Sequence, residues 1–283
     1  MFSALLLSLL INGTPLPHAL PIESPQAQKE TPKKKNEEPK KKAEDKKKAE
    51  EPKKKEEPPA KPTEPLVSVD ELNKKGYAFL GQGKLKEAID TLKLATKQDP
   101  KNIQGFMGIG MACMQAKRYP EAVEALEAAV ALNPNSSDIQ NNYGLALIEV
   151  EKYSEARMAF ERAYTITPTN VMYRVAIGES YRREKNTLRA REEYEKALGE
   201  AVDNPAIYNA LGNLALGDNN NAEAFKWFDA AIRLRPDDIE AQLGKSGALS
   251  GLEKFDEALE IARSVTAKLP NVPFGYNALA SAY

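Results

Sequence analysis

A fixed period of 34 residues governs this sequence. A small residue falls at Gly76, Gly110, Gly144, Gly178, Gly212, Ser246 and Ala280, each 34 after the last. Alanine recurs with the same spacing at Ala88, Ala122, Ala156, Ala190, Ala224 and Ala258. Proline closes the unit at Pro100, Pro134, Pro168, Pro236 and Pro270. The fourth unit differs, with Val202 at that place and Pro205 three residues later. Self-similarity at such a period specifies stacked copies of one supersecondary unit, a solenoid.

One unit, Ile103 to Ser136, shows what is being stacked. Phe106, Ile109, Gly110 and Cys113 recur at i, i+3, i+4 and i+7, one face of a helix. The stretch from Gln115 to Tyr119 breaks that pattern. Ala122, Leu126 and Ala129 then form one face of a second helix, which Leu132-Asn133-Pro134 ends because proline cannot continue it. The unit is a helical hairpin and the fold class is all-α. A lone hairpin cannot bury its apolar face, so stability must come from stacking. Glycine inside a helix costs roughly 1 kcal/mol against alanine. Its return in five first helices therefore predicts a close approach between the two helices of a unit.

These residues resemble the tetratricopeptide repeat (TPR). The second unit carries the pattern as Phe106, Ile109-Gly110, Cys113, Ala122, Leu126 and Pro134. The third carries Tyr143-Gly144, Leu147, Ala156, Phe160 and Pro168, and the fifth Tyr208, Leu211-Gly212, Ala224, Phe228 and Pro236. Units begin at Val69, Ile103, Ser137, Val171, Pro205 and Ile239, with a partial seventh from Pro273. The sixth is the loosest, with Lys245-Ser246 and Val265 at signature positions. The resemblance implies a right-handed superhelical solenoid over 66–283 and a concave groove lined by the first helices.

Two segments precede the solenoid. Phe2 to Ile11 is an apolar run, shorter than the roughly 20 residues a membrane-spanning helix needs. Its length suits the core of a secretory signal peptide over residues 1–28, although no Lys or Arg precedes it. On that reading the protein is exported, periplasmic or envelope-associated, and otherwise cytoplasmic. Residues 29–65 are Lys-, Glu- and Pro-rich. From Lys29 to Lys61 there are 14 Lys against 9 Asp and Glu, a local charge of +5. Nothing larger than alanine there can join an apolar core, so the stretch reads as a disordered linker. A second reading is a tether making weak contact with an anionic surface, a field that the interleaved glutamates dilute. The solenoid itself has 26 Lys and Arg against 30 Asp and Glu, or −4. It offers no basic stripe, and no nucleic-acid partner is expected. The chain ends at Tyr283 inside the first helix of a seventh unit. Phe274, Tyr276, Leu279 and Tyr283 would need cover there, so a longer native chain is expected.

The residues argue against catalysis. The one histidine, His18, lies in the leader, which removes the commonest general base and metal ligand. The one cysteine, Cys113, sits at a core position and reads as a small buried hydrophobe rather than a reactive thiol. Gly105, Gly108 and Gly110 lie within a helical period with no strand before them, so they are no dinucleotide fingerprint. Glu192 and Glu193 read as a solvated helix face. We expect no enzyme, no cofactor and no metal.

The groove residues implied by the resemblance lie at positions 2, 5, 9 and 12 of each unit. They give Gln104, Met107, Met111 and Met114 in the second unit, and Asp138, Asn141, Leu145 and Ile148 in the third. The fourth contributes Met172, Val175, Glu179 and Arg182. Met107, Met111, Met114, Leu145, Ile148, Met172 and Val175 would form one apolar patch suited to a partner protein. The same side chains could instead thicken the core between first helices. Asn141 and Asn142, then Asn209 and Asn213, flank the patch. An amide donates and accepts at once, so these asparagines suit an extended peptide backbone, or else a solvated groove wall. The Lys, Asn and Arg set that some family members use to clamp acidic chaperone tails is absent in every window. The expected function is a non-enzymatic scaffold that binds a peptide or helix of another protein. The alternative is an assembly subunit of an envelope complex, joined through the solenoid ends.

Overall fold

The computed structural model describes residues 67–268. They form twelve α-helices and no strand. The helices are α1 (Val69–Gly81), α2 (Leu85–Gln98), α3 (Ile103–Gln115), α4 (Tyr119–Leu132), α5 (Ser137–Glu149) and α6 (Tyr153–Ile166). They continue as α7 (Met172–Arg183), α8 (Thr187–Glu200), α9 (Pro205–Gly217), α10 (Asn221–Leu234), α11 (Ile239–Gly251) and α12 (Phe255–Lys268). Consecutive helices pack in antiparallel pairs and each pair packs on the next, which makes an α-solenoid of six hairpins among the described residues. The leader, the charged linker and the partial seventh unit of the sequence reading lie outside the described residues.

The small residue at position 8 holds each hairpin together. A Cβ added at Gly76 would come within 2.5 Å of Leu92 Cγ, and one at Gly110 within 2.5 Å of Leu126 Cγ. At Gly144 it would meet the Phe160 ring at 2.6 Å, at Gly178 the Tyr194 ring at 2.5 Å, and at Gly212 the Phe228 ring at 2.8 Å. These distances leave no room for any side chain. The large residue of the second helix lies flat on the glycine backbone of the first and is fully buried. The same knob also faces the next unit: Leu92 presses on Gly108 and Phe228 on Gly244. The sixth hairpin solves the packing in reverse. Ser246 replaces glycine, and the position facing it shrinks to Ala262. Its hydroxyl is satisfied by donating to the Ala258 carbonyl at 2.8 Å.

The turn inside each hairpin is equally regular. Gly83, Lys117, Glu151, Lys185, Asn219 and Glu253 all adopt φ between 57° and 71°. They too lie 34 apart. Each ends its first helix in a Schellman motif. Lys117 N donates to Met114 O at 3.1 Å and Arg118 N to Cys113 O at 2.8 Å. The equivalent bonds recur at Glu151 and Lys152, and at Asn219 and Asn220. Only Gly83 and Asn219 are residue types that this conformation favours.

Five of the six described first helices begin on side-chain caps; α7, with Val171 at its N-cap, does not. Ser68 forms a capping box with Glu71, and Asn102, Ser136, Asn204 and Asp238 each accept from a first-turn amide. Two of these caps also tie units together. Asn102 exchanges two hydrogen bonds with Asn73 of the preceding unit, at 3.0 and 2.9 Å. Four units on, Asp238 accepts from Asn209 at 3.2 Å in the same place. These residues are buried, so the bonds satisfy groups that would otherwise be costly to bury.

Two outcomes are expected. Gly144→Ala should destabilise the chain by about 1–3 kcal/mol in urea titration through overpacking against Phe160. Combined with Phe160→Ala, the loss should fall short of the two single losses added together, because the alanine returns the space, as Ala262 does opposite Ser246. Glu151→Gly should stabilise by about 0.5–1 kcal/mol, since it relieves a left-handed residue in a solvent-exposed turn.

Candidate functional site

The candidate site is the line of residues that the first helices α3, α5, α7, α9 and α11 carry on their common face. The structure divides the apolar patch expected there. Leu145, Ile148, Val175 and Met114 are buried, at 3, 2, 0 and 9 % exposure. Met107, Met111 and Met172 are half-buried. The contiguous exposed patch is therefore not present; four of its seven members belong to the core. The cause is the contact of each first helix with the first helix of the next unit, which draws the longer side chains between them. Leu145, Ile148 and Met114 join the core cluster of the first four hairpins, and Met111 packs against it. Val175 joins the cluster of the fourth and fifth, with Met172 packed against it.

The asparagines separate in the same way. Asn141 and Asn142 are half-buried, and the Asn141 Oδ1 is enclosed without a hydrogen-bond partner. Asn213 is half-buried and donates to Glu240 Oε1 at 3.1 Å. Asn209 is buried at 2 % exposure, and its Oδ1 has no partner because its amide nitrogen is turned to Asp238. The opposite orientation would set two oxygens against each other, so chemistry fixes this one.

Two buried carboxylates complete the line. Glu179 accepts from both Arg182 nitrogens at 2.7 and 2.6 Å, from Arg183 at 3.3 Å and from the Tyr194 hydroxyl at 3.3 Å. Arg183 reaches back to Glu149 of the preceding unit at 3.0 Å. Burial, with the nearby Glu179 charge adding to it, holds the Tyr194 phenol well above its ordinary range. Glu240, in the first turn of α11, is 4 % exposed. Its Oε2 is enclosed and unpartnered. Burial pushes its carboxyl up to about 7, the charges of Asp238 and Glu179 push the same way, and the Asn213 bond opposes them. Sequence reasoning missed Glu240. Its position is the second of the sixth unit, on the predicted groove line, but its burial depends on contacts between units.

Elsewhere the chemistry is quiet. Cys113 is buried, and burial first, then the Glu121 charge, raises its thiol. Glu193 is not the solvated residue expected: it pairs with Arg174 at 3.1 Å and Lys196 at 2.6 Å and is only 14 % exposed. A cleft of about 230 Å³ lies between Tyr164, Arg174, Ile177, Tyr181 and Glu193. Its guanidinium stacks on Tyr164 and also pairs with Glu200 at 2.9 Å. Among the described residues, no three His, Cys, Asp or Glu side chains gather as a metal site, and no helix is long and apolar enough to cross a membrane.

Three family models, each described as a tetratricopeptide repeat, match residues 79–146, 137–170 and 175–239, together more than half of the chain. The chain belongs to the tetratricopeptide repeat family. No curated protein sequence matches it. Solved structures share the TPR fold at low identity. Pseudomonas aeruginosa PilF is 20 % identical, with 75 % of this chain and 96 % of that one covered and a TM-score of 0.56. PilW, a type IV pilus biogenesis factor, is 18 % identical, with 75 % and 98 % covered and a TM-score of 0.62. Yeast Tom70 is 19 % identical, with 76 % of this chain but 46 % of that one covered and a TM-score of 0.63. The TPR fold is that of a scaffold for protein–protein interaction.

The Glu240 carboxyl predicts a pH dependence. Its folded value lies above the ordinary 4.5, so its stabilising effect is complete below about 4.5 and is lost as pH rises to about 7. Between pH 4.5 and 8 this group should cost the fold up to about 3 kcal/mol. Glu240→Gln should remove that part of the slope in urea titrations at the two pH values. It should also leave the variant the more stable form at pH 8.

Proposed function

We propose that this protein is a non-enzymatic scaffold that holds a segment of another protein along the line of its first helices. The observation that carries this reading is what remains accessible on that line. Met107, Met111, Met172, Asn141, Asn142 and Asn213 are all half-buried rather than enclosed. Adaptable apolar side chains on the same line as amides that both donate and accept suit an extended peptide, which brings apolar contacts and backbone N–H and C=O groups. Export to the envelope is part of the proposal and rests on the apolar run Phe2 to Ile11.

The test is affinity capture from native extract with the full chain, followed by direct titration of the captured protein. Met111→Glu should lower affinity at least tenfold while far-ultraviolet circular dichroism stays unchanged. Equal affinity in the variant would move the site off this face and favour an assembly subunit joined through the solenoid ends. Loss of helical signal would show that Met111 is a core residue, and Gln104→Glu, at an exposed position of the same line, then becomes the deciding variant.

A further inference from the structure

We propose that one proton on Glu240 locks the sixth hairpin, α11 and α12, onto the fifth, and that this hairpin opens by itself when the proton leaves. The device is independent of where a partner binds.

The seam between these two hairpins has a thin apolar core. The cluster they share holds one large buried side chain, Phe228, among Ala215, Ala224, Ala231, Ala241 and Ala248. The cluster of the first four hairpins includes Ile89, Leu92, Ile109, Leu126, Leu145 and Phe160. Where the other second helices bring Leu, Phe or Tyr to their hairpin, α12 brings Ala262. In a solenoid each unit is held by its neighbours, so a thin seam lets one unit open while the rest stays folded.

Two amide–carboxylate pairs cross the same seam. Asn209 donates to Asp238 at 3.2 Å and Asn213 to Glu240 at 3.1 Å. Both carboxyl groups are buried. Glu240 Oε2 and Asn209 Oδ1 remain enclosed without a partner. A proton on Glu240 turns a surplus acceptor into a donor and removes a buried charge. Its loss leaves two carboxylates two residues apart inside the seam. The charges that act on Glu240 are Asp238 at the N-cap of α11 and Glu179 on α7, both negative. The other packed helices do not offset them. α9 carries no charged residue. On α10, Asp229 is held by Lys245 and Arg233, Glu223 by Arg191, and Lys226 is exposed. α12 carries Asp256, Glu257, Glu260, Arg263 and Lys268 at exposed positions.

The seam between the first two hairpins is the neutral version. Asn73 and Asn102 stand where Asn209 and Asp238 do, and Tyr77, in the place of Asn213, donates to the Gln104 carbonyl at 3.0 Å. No carboxylate is at stake in those bonds, so that seam serves as an internal reference.

The direction follows from the proton. Burial first, then Asp238 and Glu179, pushes the docked Glu240 carboxyl up to about 7, and opening returns it toward 4.5. The lock is therefore complete below about 4.5 and is lost as pH rises through about 7. From pH 6 to pH 8 the hairpin should open about tenfold more often.

The test is amide hydrogen exchange of the full chain at pH 6 and pH 8, each corrected for the intrinsic exchange rate. α11 and α12 should lose about tenfold in protection between the two, while α1 to α4 keep theirs. Glu240→Gln, which places an amide donor where the protonated carboxyl would donate, should leave α11 and α12 equally protected at both values. Glu253→Gln, which removes the same charge from an exposed turn, should show the full loss. Unchanged protection of α11 and α12 in the native chain would overturn the inference. So would an equal loss in every hairpin, or a loss that persists in Glu240→Gln. The native profiles decide by themselves if Glu240→Gln does not fold.

Discussion

The contact between a glycine backbone and a large side chain decides this structure. Each first helix offers a surface without a Cβ at position 8, and each second helix lays Leu92, Leu126, Phe160, Tyr194 or Phe228 onto it. The helices of a hairpin can then approach until the large residue is wholly enclosed. The loss of helix propensity at glycine, roughly 1 kcal/mol each, is set against burial of a Leu or aromatic side chain worth about 1.5–3 kcal/mol. The sixth hairpin confirms that volume is the conserved quantity within the chain: where the small residue grows to Ser246, its opposite shrinks to Ala262. The left-handed residue between the helices has the same origin. With the interlock fixing both helices, the turn must close in one geometry, even where lysine or glutamate has to adopt it.

Most of the fold was legible because the period is written in residues whose chemistry has one reading. Gly110, Ala122 and Pro134 each exclude alternatives, and together they place two helices and a stop. The turn conformation was less legible. Gly83 announces a positive φ, but Lys117, Glu151, Lys185 and Glu253 carry no such signal, and only their spacing connects them.

The site was legible in part, for a different reason. A helical wheel assigns Leu145, Ile148 and Val175 to the groove face correctly as an angle. It cannot see that the neighbouring first helix stands close enough to cover them. Exposure in a solenoid is set between units, so the methionines that remain half-exposed and the leucine that does not are alike in sequence. Glu240 was hidden by the same limit. A glutamate in the first turn of a helix is ordinary, favoured there by the helix dipole. Its enclosure arises only when α9, α10 and α12 pack around α11. The asparagine pairs between units, Asn73 with Asn102 and Asn209 with Asp238, show how such polar groups are normally satisfied. Against that pattern the free oxygens of Asn209 and Glu240 stand out.

The account holds that a partner segment lies along the first helices rather than on the second helices or at the solenoid ends. Amide hydrogen exchange of the full chain, with and without the captured partner, tests this most directly. Slowed exchange should fall on α3, α5, α7, α9 and α11, strongest around Met107, Asn141 and Asn213. Slowing confined to the second helices, or to α1 and α12 at the ends of the described solenoid, would contradict it.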